Sequence, residues 1–428
     1  MQNVKMREKE HYGDEETVYD FPDGWEIDVL KQNNHDESSL TRGQIDDALD
    51  HPIGTKSITD LARGKNGRIC ILHDDLTRPT PAYQIVPSII DQLHKAGIKD
   101  SQVFFLAAMG SHPTMTVEAI GRKIGSQALQ KYDVRNHVVF DTRKFGSHNF
   151  VDKGFTNLGT PVTVNRLYAQ SDLRIAISGL IKKGSVCGGG GKICMPGIAS
   201  IEAIAYNHTQ LGYARGSRGA GGGPWNARPG VMRSDMQEFA RKSGLDMSIN
   251  VVPNGSRQAS GVYAGDVDEA WIAGVKACYE AHRTEVPNKK YDVIIANSYP
   301  QHSEGLRWCD GAEDILREGG TAVNIFMSIT DAYYLTHYIN EAVRGAMVQF
   351  WYQNRARQWP IKQAGHTIIY DKLMDMHKKI QFDERVEFLD NWPSVVRRLK
   401  EIHGDTASIA VFPTAALQFN PQKYPLIL

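Results

Sequence analysis

No apolar run in this 428-residue chain reaches the ~18 residues that a membrane-spanning helix needs. Residues Met1 to Asp20 are crowded with charge and lack the apolar centre of a signal peptide. A cytoplasmic location is the expectation. An excess of charge of one sign is also missing, since 49 Lys+Arg balance 49 Asp+Glu and no long like-charged block occurs. That removes the electrostatic basis for a nucleic-acid or anionic-membrane partner. Cysteine is scarce: Cys70, Cys187, Cys194, Cys278 and Cys309 are odd in number and contain no C-x-x-C pair, so neither a disulfide framework nor a four-cysteine zinc site is suggested. What remains is 41% hydrophobic and 23% charged, the balance of a globular chain too long for one core, so two or three domains and a small-molecule partner are expected.

Short β-branched runs alternate with longer amphipathic ones, the pattern of strands joined by crossover helices. Strands are predicted at Arg68 to Leu72, Gln102 to Ala108, His137 to Asp141 and Leu173 to Ser178, with helices at Ala82 to Ala96 and Thr116 to Tyr132. After a Pro-containing link at 286–290 a second series begins at Tyr291 to Asn297 and continues near Thr321 to Phe326 and His366 to Tyr370. The fold class read from this is α/β, two α/β domains with mostly parallel sheets and an active site in the cleft between them. The first domain spans 1–286 and the second 291–407, with 408–428 a candidate to return and complete the first. The Gly- and Arg-rich stretch from Gly212 to Gly230 reads as a surface loop or lid.

Four segments can carry chemistry, and each follows a predicted strand or sits on the helix after one. In His73-Asp74-Asp75-Leu76-Thr77-Arg78-Pro79-Thr80-Pro81 the Arg78 fork suits a carboxylate or phosphate, or else pairs with Asp75 and Thr77 in a capped turn. Gly110-Ser111-His112-Pro113 offers a histidine for proton transfer, or a hydrogen-bonding turn residue. Gly188-Gly189-Gly190-Gly191-Lys192 lets backbone approach a ligand and turn amides toward phosphate. It is not a Walker loop, because Val186 and Ile193 stand where that pattern needs Gly and Ser or Thr. The apolar Ile193-Cys194-Met195 after Lys192 points to an embedded lysine with a covalent or buried role. Last, Asn207-His208 ends a helix opening near Ala199, and His208 is a metal ligand or a capping residue.

Taken together, Asp74-Asp75-Leu76-Thr77-Arg78-Pro79-Thr80-Pro81, Gly110-Ser111-His112, Gly190-Gly191-Lys192 with Pro196-Gly197, and Asn207-His208 resemble the lactate racemase family, the nickel-pincer-nucleotide racemases and epimerases of 2-hydroxy acids. The resemblance implies an isomerase with nickel and a pyridinium-3,5-bisthiocarboxylic acid mononucleotide-type pincer joined to Lys192, His208 as the protein ligand of the metal, and His112 as one acid/base. Asp75, Thr77, Gly190 and Gly191 would contact the cofactor, and Arg78 the substrate. A 2-hydroxy acid substrate and cofactor maturation proteins are the implied partners.

The chain departs from the family in two places. A second histidine is implied ten residues before the cofactor lysine, where this chain has Lys182 with Lys183 beside it; either lysine is a candidate second base. After Tyr299-Pro300, Arg307 and Asp310 stand where the family's lactate enzyme has a glutamine and a lysine, which points to a substrate other than lactate. Trp351 matches a pocket tryptophan of the family. Two other classes compete: a pyridoxal-phosphate enzyme built on Lys192, and a non-enzymatic nucleotide- or sugar-acid-binding protein.

Overall fold

The computed structural model describes residues 1–8, 15–139, 149–183, 186–213, 225, 230–302, 306–327, 360–372 and 382–427. The described residues form two compact units, one from 37–279 and 426–427, the other from 1–36, 280–327 and 360–425.

The first unit is built on a six-stranded sheet in the spatial order Ala259–Gly265, Met247–Pro253, Leu173–Gly179, Ile69–His73, Val103–Ala107, Asp133–Asn136. Every pair is parallel except the outermost, Met247–Pro253 with Ala259–Gly265. Ile69–His73 and Val103–Ala107 are buried at every position, as central parallel strands covered on both faces must be. Helix Ala82–Lys95 lays Ile85, Val86, Ile89, Ile90 and Leu93 on one face of this sheet, a 3.6-residue spacing that the sequence displays openly. From Ile69–His73 the chain runs outward through Val103–Ala107 to Asp133–Asn136, then returns to build Leu173–Gly179 and the remaining strands on the other side. The carboxyl ends of Ile69–His73 and Leu173–Gly179 therefore flank a topological switch point, where open parallel sheets leave a crevice.

The second unit carries an all-parallel sheet ordered Glu387–Leu389, His366–Tyr370, Leu316–Ile325, Tyr291–Asn297, Ser408–Phe412, Glu26–Val29. This corrects the expected domain limits at both ends. Ser408–Phe412 lies between Tyr291–Asn297 and Glu26–Val29, so the last strand completes the second unit and not the first. The first thirty-six residues join it there, because Tyr19 and Phe21 pack edge-on against Trp392, with ring centroids 4.8 Å and 5.3 Å apart.

Two local expectations also change. The helix predicted from Thr116 to Tyr132 is two, Val117–Ile124 and Ser126–Lys131, divided by Gly125 at φ 93°. The strand predicted at His137 to Asp141 lies earlier, at Asp133–Asn136. His137 is instead turned inward, its ring bonded to the Asn165 side chain and the Ala199 carbonyl, and residues 140–148 fall outside the described part. Among the described residues no helix is long and apolar enough to cross a membrane.

Trp392→Ala should cost about 3–5 kcal/mol, the usual loss for a buried tryptophan. By hydrogen exchange, amides of Glu16–Phe21 and Ser408–Phe412 should lose protection together. Unchanged protection at Glu16–Phe21 would place that strand outside this core.

Candidate active site

Loops leaving the carboxyl ends of Ile69–His73, Val103–Ala107 and Leu173–Gly179 wall one cleft, which brings together Asp75, Arg78, His112, Ser178 and Lys192. It lies within the first unit, at the switch point. Asp74 spans the crevice: one carboxylate oxygen accepts from the Thr80 hydroxyl at 2.5 Å and from the Gly179 amide at 3.1 Å, and the other pairs with the buried Lys123 ammonium at 2.6 Å. Gly110 donates its amide to the Gly197 carbonyl at 2.9 Å, which ties the histidine loop to the segment after Lys192.

Asp75 faces the histidine. Its Oδ2 lies 2.5 Å from His112 Nδ1, and its Oδ1 accepts the Thr77 amide at 2.8 Å and the Thr77 hydroxyl. Burial alone would raise the Asp75 pKa, yet the imidazole charge and hydrogen bond of His112, with Arg78 and Thr77, outweigh it and hold the carboxyl well below the usual range. An ionised carboxylate can only accept, so His112 Nδ1 carries a proton, and in the neutral form of the ring the lone pair is on Nε2. This is the arrangement of an oriented general base. Arg78 Nη1 donates to the Thr77 hydroxyl at 2.7 Å. Asp75 and Thr77, expected as cofactor contacts, bond His112, Arg78 and each other, and so position these neighbours.

Lys192 closes the glycine loop on the short 3₁₀ turn Gly190–Ile193, and its side chain is partly exposed in the cleft wall. Behind it Ile193, Cys194 and Met195 are buried with Leu72, Phe104 and Leu106, so the apolar run anticipated in the sequence anchors the lysine. Three of the loop amides are bonded within the protein. Gly188 donates to the Ile181 carbonyl, Gly190 to Asn250 Oδ1 at 2.7 Å and Gly191 to Gln237 Oε1 at 2.5 Å. On the carbonyl side Trp271 Nε1 donates to Gly188 and Arg233 to Gly189, at 2.9 Å and 2.7 Å, with the Arg233 guanidinium 4.2 Å from the Trp271 ring centroid. Gly190 has φ 50°, and a Cβ at Gly191 would collide with the Met236 carbonyl. The glycines are therefore needed for close packing, which lets four side chains from other elements hold the lysine's approach. Nothing in the local sequence marks Arg233, Gln237, Asn250 or Trp271, because each lies at least 41 positions after Lys192 and meets the loop only through the fold.

His208 follows the helix Ile201–Tyr206 on a π-helical turn, Asn207–Tyr213, a rare form that recurs at functional sites. Its Nδ1 lies 3.1 Å from the Ile204 carbonyl, which can only accept, so Nε2 is the lone-pair nitrogen of the neutral ring. Asn207 is wholly buried and donates to Asp235 Oδ2 at 2.6 Å, pinning the turn to helix Val231–Ser243. His208 is not among the described residues of the cleft wall. Neither is Lys182, which is buried on the two-residue ribbon pairing with Val186–Cys187. The Lys183 side chain and Trp351 lie outside the described residues, as does most of the Gly212 to Gly230 stretch. In the second unit, the Arg307 backbone bonds Ser298 Oγ and the Asn324 side chain.

Residues 12–218 match the domain described as the lactate racemase N-terminal domain. Over 326 residues the chain is 28% identical to the lactate racemase of Thermoanaerobacterium thermosaccharolyticum, spanning 73% of this chain and 72% of that one. Over 288 residues it is 30% identical to the lactate racemase of Lactiplantibacillus plantarum, spanning 66% of this chain and 65% of that one. The solved lactate racemase apoprotein from Thermoanaerobacterium thermosaccharolyticum has the same fold, with a TM-score of 0.66 at 21% identity over 98% of this chain and 100% of that one. So does a Thermotoga maritima protein of known crystal structure, at 0.63 and 16% over 91% and 99%.

Asp75→Asn should leave the fold intact and lower kcat/KM by about 10²- to 10⁴-fold, because an amide can donate to Nδ1 and favour the wrong tautomer. Unchanged kcat/KM would remove His112 from proton transfer. Gly191→Ala should lower the thermal midpoint, since overpacking of this kind costs about 1–3 kcal/mol.

Proposed function

Because the chain belongs to the lactate racemase family, we propose that it is a racemase or epimerase inverting C2 of a 2-hydroxy acid with a nickel-pincer nucleotide attached to Lys192. The observation that carries the proposal is the meeting of Arg78, His112 and Lys192 in the walls of one cleft at the switch point. The residues present fit the implied group in part. Lys192 stands at the cleft as an anchor with its backbone fixed, and His208 presents an Nε2 lone pair suited to Ni(II). The amides of Gly188, Gly190 and Gly191 do not fit a phosphate, being bonded within the protein.

When bound, the pincer nucleotide supplies a hydride acceptor and donor. The chain's own residues do the rest. Arg78 pairs its planar guanidinium with the substrate carboxylate and fixes which face of C2 is presented. His112 Nε2 takes the proton of the 2-hydroxyl of one enantiomer while Asp75 stabilises the resulting imidazolium, and it gives a proton back only when the reaction runs in reverse. Loss of hydrogen from C2 leaves a planar 2-keto acid, and restoration on the other face inverts the centre. That second face needs its own acid/base, for which Lys182 and Lys183 are the candidates. The exchanges at Arg307 and Asp310 support a substrate longer or more hydroxylated than lactate.

Protein made in a host that produces the cofactor should carry an adduct by intact mass spectrometry together with nickel. Lys192→Ala should lose the adduct and all activity while folding normally, and His208→Ala should lose nickel but keep the adduct. Full activity with an unmodified Lys192 would overturn the proposal. A loaded protein that binds 2-hydroxy acids but interconverts none would support instead a binding protein on the same fold, a reading that the position of Lys182 outside the described cleft wall favours.

A further inference from the structure

The turn that supplies Asp75 and Arg78 is held from behind by a side chain outside every motif. Lys123, on helix Val117–Ile124, is completely buried. Its ammonium meets Asp74 Oδ1 at 2.6 Å, the Asp75 carbonyl at 3.0 Å and the Arg78 carbonyl at 2.8 Å. The first contact is an ion pair, and the other two are hydrogen bonds to backbone carbonyls. Neutralising a buried Asp74 requires only the first of these contacts. The other two grip the backbone at the residue that orients His112 and at the residue that offers its guanidinium to the cleft.

We propose that Lys123 is a positioning residue of this site. By clamping the carbonyls of Asp75 and Arg78 it fixes the turn, so that Asp75 reaches His112 Nδ1 and Arg78 faces the cleft. This rests on reading the cleft as the place where a 2-hydroxy acid reacts. Burial lowers the Lys123 pKa and its acidic neighbours oppose that, so the ammonium depends on the carboxylates around it. Lys123 and the turn are in this sense mutually required.

Charge compensation and backbone clamping separate in a double-variant comparison. Asp74→Asn takes away the carboxylate paired directly with Lys123 and leaves only Asp75 nearby, and adding Lys123→Met then removes a buried cation that has lost its ion-pair partner. If Lys123 serves only to balance Asp74, the second substitution restores thermal midpoint and kcat/KM together. If it clamps the turn, the second substitution raises the midpoint yet lowers kcat/KM a further 10- to 100-fold or so, the usual effect of losing support behind a reacting group.

A readout independent of turnover is the His112 ring N–H proton in protein labelled with ¹⁵N-histidine, assigned by its loss in His112→Gln. Clamping predicts that this resonance moves upfield or broadens on adding Lys123→Met to Asp74→Asn, as the bond to Asp75 loosens. If Asp74→Asn does not fold, the double variant is compared with the parent, and the same changes are expected. A double variant with parental His112 resonance and parental kcat/KM overturns the proposal. If the parent interconverts no 2-hydroxy acid, the functional reading falls, and the His112 resonance still decides the role of Lys123.

Discussion

Two adjacent carboxylates buried at the end of a central strand would each be costly without compensation, and the candidate site is organised by how the chain supplies it. Asp74 takes Lys123, Thr80 and the Gly179 amide, which bridges the crevice between two parallel strands. Asp75 takes His112 and Thr77 and stays ionised. His73 immediately before them is buried, its pKa pushed down to about 4 by desolvation, so it adds no positive charge near neutrality. A pair of anions in the wrong place would unfold such a strand end; with these partners it becomes the frame on which Arg78 and His112 are mounted.

The glycine loop solves the complementary problem of presenting a lysine from a tightly packed wall. Removing four Cβ atoms lets Arg233, Trp271, Gln237 and Asn250 close on the backbone from behind. The loop is held on its protein side and offers Gly188, Gly189 and Lys192 to the cleft. Preorganisation of this kind limits the conformational entropy lost when a ligand is attached or bound.

What the sequence makes legible follows from which signals are local. The strand-helix alternation reveals both parallel sheets, and the motifs after Ile69–His73, Val103–Ala107 and Leu173–Gly179 converge because parallel strands end on one edge. Asp75 and Thr77 read as cofactor contacts in the sequence, and the fold adds that they bond His112 and Arg78, which spacing alone does not reveal. Lys123 and Arg233 are invisible there for a related reason: a buried cation looks like a surface one until its acceptors are known. The placement of Glu26–Val29 beside Ser408–Phe412 joins the two ends of the chain and leaves no local trace. The same is true of the split at Gly125, where a glycine that helices often tolerate takes a left-handed φ and ends one.

In the proposed reaction His112 handles the hydroxyl proton alone, and the C2 hydrogen returns to the molecule it left. The most direct measurement uses one enantiomer of a turned-over 2-hydroxy acid, deuterated at C2, incubated with cofactor-loaded enzyme in ordinary water. Mass spectrometry of the opposite enantiomer should find the deuterium retained. Its replacement by solvent hydrogen at the rate of inversion would mean that a side chain removes the C2 hydrogen as a proton, and would contradict the hydroxyl-proton role proposed for His112.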